Sequence, residues 1–458
     1  MQHLLEAYFD TLRNKRIYII GIGVSNTPLI EKMLESGLDV TACDKREREA
    51  FNGQIEDLEH RGLKVCLGID YLECLENADV IFRTPGMRPD LPQLVKAIER
   101  GAELTSEMEA FFELCPCRTI AVTGSDGKTT TTTIISGLLK AAGYRVFTGG
   151  NIGRPLLCDV DSMLPDDIAV VELSSFQLMT MKRSASIAVV TNLAPNHLDV
   201  HKDMQEYIDA KKNIFVHQES EDKVVLNADN EITASFADEA RGEVVMFSRR
   251  KSLEHGICLR DDKVVNFNRP VLDPKDIRLP GLHNLENYMA AIAAVDELVP
   301  EEVIVEFAKT FRGVAHRIEW VRELDGVQYY NDSIASSPSR TIAGLRSFDK
   351  KVILIAGGYD KHIPYADLGP QIIESVKTLI LTGATAGKIL QATLDAPGYC
   401  KGNPEIINCD SLKAAVDAAK ANAAPGDIVI LSPASASFDC FKNFEERGNV
   451  FKNFVNQL

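Results

Sequence analysis

Short apolar runs recur along the chain, and most of them end in a loop that contains glycine, serine or proline. The first run reaches Ile20 and turns at Gly21-Ile22-Gly23, and apolar residues then recur at helical spacing until Gly37. Strands that alternate with helices in this way are typical of a parallel sheet. For this first part of the chain we predict strands at 16–20, 39–43, 64–67 and 80–83 and helices at 28–36 and 107–113.

The alternation continues through the rest of the chain, and it predicts an α/β fold with three domains at 1–106, 107–313 and 314–458. A length of 458 residues agrees with this division, since about 150 residues per domain gives about three domains. In open parallel sheets, ligands bind in the loops outside the carboxyl ends of the strands. Further strands are predicted at 118–123, 168–172, 187–191, 224–227, 318–324, 327–330, 351–356, 378–382 and 427–432.

Composition narrows the class of protein. Apolar residues at 45% and charged residues at 25% are ordinary for a globular protein, and no apolar run approaches the roughly 18 to 20 residues that span a bilayer. The net charge of −16 disfavours nucleic acid as a partner. The ten cysteines show no zinc-finger spacing beyond the single pair Cys115 and Cys117, so we expect free thiols. We therefore expect a cytoplasmic protein with no membrane contact.

The strongest local signal is a glycine-containing loop between an apolar strand and a threonine-rich helix. Such a loop turns backbone N–H groups toward nucleotide phosphates, while Lys128 adds positive charge and the Thr129 hydroxyl is a ligand for Mg²⁺. Val122 stands where a general phosphate-binding loop has its first glycine, so the loop is a shortened form. A surface turn is the alternative, which the flanking strand and helix disfavour. The predicted ATP-binding residues are Gly124, Ser125, Asp126, Gly127, Lys128, Thr129 and Thr130.

Two further polar residues follow apolar strands. Glu172 ends the strand at 168–172, where its carboxylate suits Mg²⁺, although a solvated strand-end glutamate is the alternative. His197 follows the strand at 187–191, and a lone histidine is more often structural than a ligand. Neither residue decides the reaction, because an ATP site serves motors, switches, kinases and ligases alike.

In this order, TGSDGKT, ELSSFQL and TNLAPNHLD resemble the Mur ligase family, and Tyr207-Ile208-Asp209-Ala210-Lys211 matches its Y-x-x-A-K element. The resemblance implies two Mg²⁺ ions, with Mn²⁺ as an alternative metal. One ion would be held by Thr129 and Glu172, the other by His197 and a carbamylated Lys211. Lys212 is adjacent, and only the spacing from Tyr207 selects Lys211.

The same resemblance assigns further residues to the nucleotide and to a uridylated substrate. Asn284 and Asn287 would lie near the adenine, with helix capping as the alternative, and Arg317 and Asp332 would complete the ATP site. Gly21-x-Gly23 followed by Asp44 resembles a dinucleotide-binding motif, but Asn26 occupies the position of that motif's third glycine. The family instead places a uridine diphosphate on this Rossmann-like domain. The implied residues are Ser25, Asn26, Asp44, Lys45, Thr84, Pro85, Gly86 and, from the Gly149–Gly153 element, Asn151.

The last segment suggests the incoming amino acid. The stretches 431–439 and 441–448 resemble members that add D-glutamate, and an Asn-Pro-Arg element of diaminopimelate- or lysine-adding members is not present. Ile334 stands where many members have a lysine, so we expect Lys361 or Arg340 to supply that charge. The residues implied for D-glutamate are Lys361, Ser336, Ser437 and the backbone beside Phe444.

The resemblance therefore implies a central P-loop ATPase-like domain with a mostly parallel sheet, between a UDP-binding Rossmann-like domain and a C-terminal Rossmann-like domain. It implies a monomeric ligase of peptidoglycan precursor synthesis, and hence of cell-wall biogenesis, cell shape and division. ATP would drive the joining of D-glutamate to UDP-N-acetylmuramoyl-L-alanine through an acyl-phosphate. Three alternatives remain open: another Mur-type or folate-type amino-acid ligase, an NAD-dependent oxidoreductase, and a nucleotide-switched regulator.

Overall fold

The structure is a computed structural model that describes residues 3–51 and 53–458. Residues 1, 2 and 52, which belong to the predicted domain 1–106, lie outside the described residues. The chain forms two compact units, one made of 1–276 with 285–307 and the other of 277–284 with 308–458. Three sheets of five, nine and six strands organise these units.

The five-stranded sheet is parallel, with strand order β3-β2-β1-β4-β5. Its helix α2 forms because Leu29, Ile30 and Met33 bury one apolar face, and it ends where Gly37 adopts a positive φ of 72°. The elements are α1 (Leu4–Leu12), β1 (Ile17–Ile20), α2 (Thr27–Glu35), β2 (Val40–Asp44), α3 (Gln54–His60), β3 (Lys64–Leu67), β4 (Val80–Phe82), α4 (Pro92–Glu99), β5 (Glu103–Thr105) and α5 (Glu107–Leu114), with 3₁₀ turns at Arg48–Phe51 and Glu73–Asn77.

The nine-stranded sheet has the order β14-β13-β12-β11-β10-β9-β6-β8-β7 and is parallel from β7 to β12. Its last two strands run antiparallel at one edge. The elements are β6 (Arg118–Thr123), α6 (Lys128–Ala141), β7 (Val146–Gly150), β8 (Ile168–Glu172), α7 (Ser175–Leu178), β9 (Ile187–Val190), α8 (Met204–Lys212), β10 (Lys223–Asn227), α9 (Glu231–Ser235), β11 (Glu243–Ser248), β12 (Ile257–Arg260), β13 (Lys263–Asn266), β14 (Arg269–Leu272), α10 (Leu282–Val295) and α11 (Glu301–Thr310), with 3₁₀ turns at Leu157–Ser162, Phe236–Glu239 and Pro274–Asp276.

The six-stranded sheet has the order β15-β16-β20-β17-β18-β19, with only the β15–β16 pair antiparallel among its pairings. Buried apolar side chains cover both of its faces, as expected for a parallel sheet between helices. The elements are β15 (Glu319–Leu324), β16 (Val327–Asn331), α12 (Pro338–Leu345), β17 (Val352–Ala356), α13 (Leu368–Ser375), β18 (Val376–Leu381), α14 (Ala386–Leu394), β19 (Glu405–Asn408), α15 (Leu412–Asn422), β20 (Ile428–Leu431) and α16 (Phe444–Asn456).

The α/β class and each strand predicted from the sequence are confirmed, with ends that agree within two residues. The pattern missed β5, β7, β19 and the four consecutive strands β11 to β14. Gly149 and Gly150, assigned to a loop element, are the last residues of β7. Within the described residues no helix combines the length and apolar character that crossing a membrane requires. All ten cysteines are free thiols, as predicted.

Candidate active site

The phosphate-binding loop lies at the carboxyl end of β6, where the chain turns into α6. Gly124 and Gly127 have φ values of 151° and 80°, which side chains other than glycine rarely adopt. Lys128 is folded over the loop, and its Nζ donates hydrogen bonds of 2.9 Å to the carbonyl oxygens of Gly124 and Ser125. The N-terminus of α6 therefore points at the loop together with an ammonium group, which favours an anion.

The end of the neighbouring strand β9 holds this loop in place. The Thr191 hydroxyl donates to the Asp126 carbonyl oxygen over 2.6 Å, and the Ser125 amide donates to the Asn192 carbonyl oxygen over 2.8 Å. A Cβ on Gly124 would lie 1.9 Å from Thr191 Oγ1, so only glycine fits there. The loop is therefore fixed before any ligand binds.

One of the two asparagines predicted near the nucleotide meets the loop. Asn287 is buried, accepts a hydrogen bond from the Thr131 hydroxyl over 3.3 Å, and presents Oδ1 2.3 Å from where a Cβ on Gly127 would lie. Asn284 belongs to the other compact unit, where its side chain donates to the Pro280 carbonyl oxygen over 2.6 Å. Asn287 is thus brought to the loop.

Glu172 lies at the carboxyl end of β8, next to β6 in the sheet. Its side chain is 1% exposed, and Oε1 accepts a hydrogen bond of 2.7 Å from the Asn151 side chain. Oε2 is buried and has no hydrogen-bond partner among the described residues. A buried carboxylate oxygen without a partner is unfavourable unless a cation or another donor satisfies it. Asn151 therefore contacts the candidate metal ligand.

Lys211, near the end of α8, is also only 1% exposed, and its Nζ donates to the Thr123 hydroxyl over 3.0 Å. Burial, reinforced by the positive charge of Lys128, lowers the pKa of Lys211 well below its ordinary value, and Glu172 acts in the opposite direction. Lys212 instead forms a 2.6 Å ion pair with Glu239 at the surface. The structure thus distinguishes two lysines that the sequence separates only by spacing.

The two histidines after β9 differ in environment. His197 is largely exposed and has a φ of 56°. Partial burial of its ring, together with the positive charges of Lys128 and Lys211, lowers its pKa. His201, which the sequence analysis missed, is buried and stacks on Phe176 with ring centroids 5.4 Å apart. Its Nε2 shares a 2.9 Å hydrogen bond with the Ser175 hydroxyl. The spacing of four residues between the histidines is a signal that could have found it.

The five-stranded sheet carries a cavity of about 640 Å³ at the point where its strand order reverses between β1 and β4. Predicted residues that line it are Ser25, Asn26, Asp44, Lys45, Thr84 and Gly86. Pro85 and Asn151 do not line it, whereas Arg46, Tyr71 and Arg88 do and were missed by the sequence analysis.

An ion pair between the buried Asp44 and the exposed Arg46 shapes one wall of this cavity. Arg46 donates to both carboxylate oxygens of Asp44, over 3.0 and 2.8 Å, and the Ile22 amide donates to the same carboxylate over 2.9 Å. Burial alone would raise the pKa of Asp44, but these hydrogen bonds outweigh it and hold the pKa below its usual range. Asn26 donates from its side chain to the Ile20 carbonyl oxygen, so it holds the loop that precedes α2.

Two arginines that follow β4 connect the part of the chain around the cavity with the part that contains the nine-stranded sheet. Arg83 is 1% exposed and donates to the Pro85 carbonyl oxygen on one side and to the Phe176 carbonyl oxygen on the other, each over 3.0 Å. Arg88 donates to both carboxylate oxygens of Glu206, on the helix that carries Lys211. The cavity and the residues around Lys211 are therefore connected through hydrogen-bonded side chains.

In the second unit, Asp332 follows β16 and is buried. It accepts hydrogen bonds from the Ser432 hydroxyl over 2.7 Å and from the Ile318 amide over 3.3 Å, and burial raises its pKa to about 7. Arg317 is exposed beside it.

Arg447 organises the loops at the same edge of the six-stranded sheet. It is 3% exposed and donates to the carbonyl oxygens of Ser333, Ser435 and Ala436, over 2.9, 3.0 and 2.9 Å. The Ser333 hydroxyl donates to the Phe444 carbonyl oxygen over 2.8 Å, and Ser437 is buried in the same loop.

Two exposed cations lie on this unit near positions predicted for the amino acid. Arg340 donates to the carbonyl oxygen of Ile334 over 3.2 Å, whereas the Nζ of Lys361 lies 6.0 Å from the Phe438 ring centroid. Ser336 is half-buried, and its amide donates to the same Ile334 carbonyl oxygen. Arg340 is therefore the cation that the structure places directly at Ile334.

Three family models match successive stretches of the chain. The Mur ligase MurD-like N-terminal domain matches residues 15–106, the Mur ligase middle domain matches 122–295, and the Mur ligase glutamate ligase domain matches 316–435. The UDP-N-acetylmuramoylalanine–D-glutamate ligase of Ruminiclostridium cellulolyticum is 53% identical, with 100% of both chains covered. The chain belongs to the Mur ligase family.

Other Mur ligases agree with this assignment in sequence and fold. The UDP-N-acetylmuramoylalanine–D-glutamate ligase of Acetivibrio thermocellus is 54% identical, again with 100% of both chains covered. Among solved structures, the UDP-N-acetylmuramate–alanine ligase of Thermotoga maritima matches with a TM-score of 0.57 at 19% identity, covering 97% of this chain and 100% of the other. That likeness supports the fold of this Mur ligase.

Proposed function

We propose that this Mur ligase joins D-glutamate to UDP-N-acetylmuramoyl-L-alanine and converts ATP to ADP and phosphate. The observation that carries the proposal is the 53% and 54% identity, over complete chains, to proteins named for that ligation. The phosphate loop, the buried Glu172 carboxylate and the cavity on the five-stranded sheet supply the kinds of group that the reaction needs. Dependence on ATP favours the cytoplasm as its compartment, and we propose that the protein acts as a monomer.

The reaction balances in two steps. A terminal carboxylate oxygen of the muramoyl-alanine attacks the γ-phosphorus of ATP, an acyl-phosphate forms, and ADP leaves. The D-glutamate amine then attacks the acyl carbon, loses a proton, and displaces phosphate to leave an amide. Phosphoryl transfer of this kind depends mainly on positioning and charge neutralisation. Lys128 would exchange its bonds to the loop carbonyls for bonds to the terminal phosphates.

The residues around Glu172 fit Mg²⁺, a hard cation that prefers oxygen ligands. The fit rests on the buried Oε2, which lacks a hydrogen-bond partner within the described part of the chain. We assign Glu172 and Thr129 to one ion and His197 and Lys211 to a second. When bound, the ions would neutralise phosphate charge and hold the phosphates in line with the attacking carboxylate.

We further propose that Lys211 is carbamylated. Reaction with CO₂ requires an uncharged amine, and the burial that lowers the pKa of Lys211 provides one. The carbamate would place two oxygens that share one negative charge in a site where Lys128 is already positive. Lys212, paired with Glu239 at the surface, lacks that environment.

We assign the cavity on the five-stranded sheet to the uridine diphosphate part of the substrate. The N-terminus of α2 faces it, and Lys45 and Arg46 line it, so a diphosphate would meet both backbone donors and positive charge. Arg83 and Arg88 would keep this cavity aligned with the phosphate loop. Arg317, Asp332 and Asn284, on the second unit, remain proposals for the ATP site.

For the amino acid we propose that Arg340 supplies the cation that a lysine supplies in many members. It contacts the backbone of Ile334, the residue that replaces that lysine, and lies near Ser336. A dianionic amino acid needs such donors around its carboxylates. Lys361, Ser437 and the backbone at Phe444 are the other proposed contacts.

A matrix of acceptors and amino acids tests the reaction. ADP release is measured with UDP-N-acetylmuramate or UDP-N-acetylmuramoyl-L-alanine as acceptor and with D-glutamate, L-glutamate, L-lysine or meso-diaminopimelate as donor. We expect release only for the alanyl acceptor with D-glutamate, and its loss in Lys128→Ala. Release that prefers another pair, or oxidation of NADH in place of ligation, would exclude the proposal.

Steady-state kinetics test the role of Arg340. We expect Arg340→Ala to raise the KM for D-glutamate at least about tenfold, the loss of a charged hydrogen bond, and to leave the KM for ATP unchanged. Arg346→Ala, an exposed arginine at the end of the same helix, is the matched control. If Arg340→Ala and Lys361→Ala each leave the KM for D-glutamate unchanged, neither residue supplies the charge.

A further inference from the structure

Three cysteines that are far apart in the sequence meet on one face of the five-stranded sheet. Cys43 lies in β2, Cys66 pairs with it in register on β3, and Cys74 lies in the 3₁₀ turn at Glu73–Asn77. The neighbouring residues of this face are mostly apolar. Nothing in the proposed ligation uses these thiols.

The three sulfur atoms are close enough to share one ion. All three lie within 4.8 Å of one another, and the sulfurs of Cys43 and Cys74 are 3.4 Å apart. A triangle with those sides has a point at most about 2.6 Å from every corner, which approaches the zinc–sulfur bond of about 2.3 Å. The 3.4 Å separation is also far longer than a disulfide bond of about 2.0 Å.

The environment suits a thiophilic ion. Cys43 is fully buried and Cys66 and Cys74 are half-buried, so the trio combines an apolar surrounding with access from solvent. Thiolate sulfur selects soft and borderline cations such as Zn²⁺ over Mg²⁺, which prefers oxygen. The metal proposed for the ATP site would therefore not compete for these ligands.

We propose that Cys43, Cys66 and Cys74 form a binding site for one thiophilic divalent ion, Zn²⁺ or its analogue Cd²⁺, with water as the fourth ligand. The ion would tie the 3₁₀ turn at 73–77 to strands β2 and β3. Cys43 immediately precedes Asp44, so the bound ion would also stiffen the wall of the 640 Å³ cavity. This proposal does not depend on the ligase reaction.

Cadmium titration of the full-length, reduced protein tests the site. Thiolate ligation of Cd²⁺ produces a charge-transfer absorption in the ultraviolet that carboxylate and histidine sites do not produce. We expect the absorption to saturate at one equivalent and the unfolding temperature to rise with added Cd²⁺ or Zn²⁺. Cys74→Ser and Cys66→Ser, at half-buried positions, should each lose both responses.

Two controls separate this site from other thiols. Cys115 and Cys117 form a second close pair, with sulfurs 3.5 Å apart, and Cys409 is a half-buried cysteine elsewhere. Cys115→Ser and Cys409→Ser should keep the full absorption. The proposal is wrong if wild-type protein gives no saturating absorption, if Cys66→Ser and Cys74→Ser retain it, or if Cys115→Ser removes it.

Discussion

Replacing Lys211 with methionine separates a chemical role from a packing role. The lysine is 1% exposed and donates to the Thr123 hydroxyl over 3.0 Å. Losing that hydrogen bond lowers the free energy of unfolding by about 1 kcal/mol. Removing a buried amine whose hydrogen-bonding capacity is incompletely satisfied raises it by about 1–3 kcal/mol. We therefore expect the free energy of unfolding of Lys211→Met to stay within about 2 kcal/mol of wild type. Ligase activity should fall at least about 100-fold, because the carbamate and the metal that it holds are lost.

The adjacent lysine provides the matched control. Lys212→Met removes an ion pair to Glu239 and a contact above the Phe236 ring, and such surface interactions contribute at most about 1 kcal/mol. This variant should keep its activity.

Two measurements test whether Lys211 is the carbamylated residue. Protein equilibrated with ¹³C-bicarbonate should show one carbamate carbon by nuclear magnetic resonance in wild type and Lys212→Met, and none in Lys211→Met. ADP release in the presence of both substrates should likewise be retained in wild type and Lys212→Met and lost in Lys211→Met. A carbamate signal that survives in Lys211→Met, or full activity of that variant, would refute the assignment of Lys211.

Two further substitutions test the loop and a buried carboxylate. Gly124→Ala should abolish ATP binding and destabilise the fold more than Gly143→Ala. A φ of 151° costs a residue other than glycine about 1–3 kcal/mol, and the new Cβ at position 124 would also collide with Thr191, whereas Gly143 has a positive φ but open space around it. Equal unfolding temperatures and equal ATP affinities for the two variants would contradict this prediction. Burial raises the pKa of Glu107 from 4.5 to about 7. The contribution of Glu107 to the free energy of unfolding is therefore full below pH 4.5 and is lost as pH rises through about 7. The loss amounts to about 3 kcal/mol. Urea unfolding from pH 4.5 to 8 should therefore show a smaller fall for Glu107→Gln than for wild type, and parallel curves would exclude this role.

The sequence predicted best what depends on neighbouring residues. The phosphate loop, the strand before it and the helix after it are fixed by apolar spacing and by glycines at positions of positive φ, so Gly124 and Gly127 were identifiable without a structure. Strands β13 and β14 were missed because each has four residues and carries charged or proline positions that interrupt the alternation of apolar and polar residues.

Contacts between distant residues could not be read from the pattern. Arg46 beside Asp44, and Arg83 between Pro85 and Phe176, depend on which loops the sheet brings together. Burial likewise distinguishes Lys211 from Lys212 only after α8 brings the Lys211 side chain to Thr123 at the end of β6. The same holds for the three thiols, whose positions in the sequence reveal no common spacing.

The central claim is that the substrate carboxylate is activated by phosphorylation. UDP-N-acetylmuramoyl-L-alanine labelled with ¹⁸O in its terminal carboxylate tests it directly, because an acyl-phosphate passes one carboxylate oxygen to the departing phosphate. Mass spectrometry after complete turnover with ATP and D-glutamate should find one ¹⁸O atom in each phosphate released. Phosphate without the label would contradict the account.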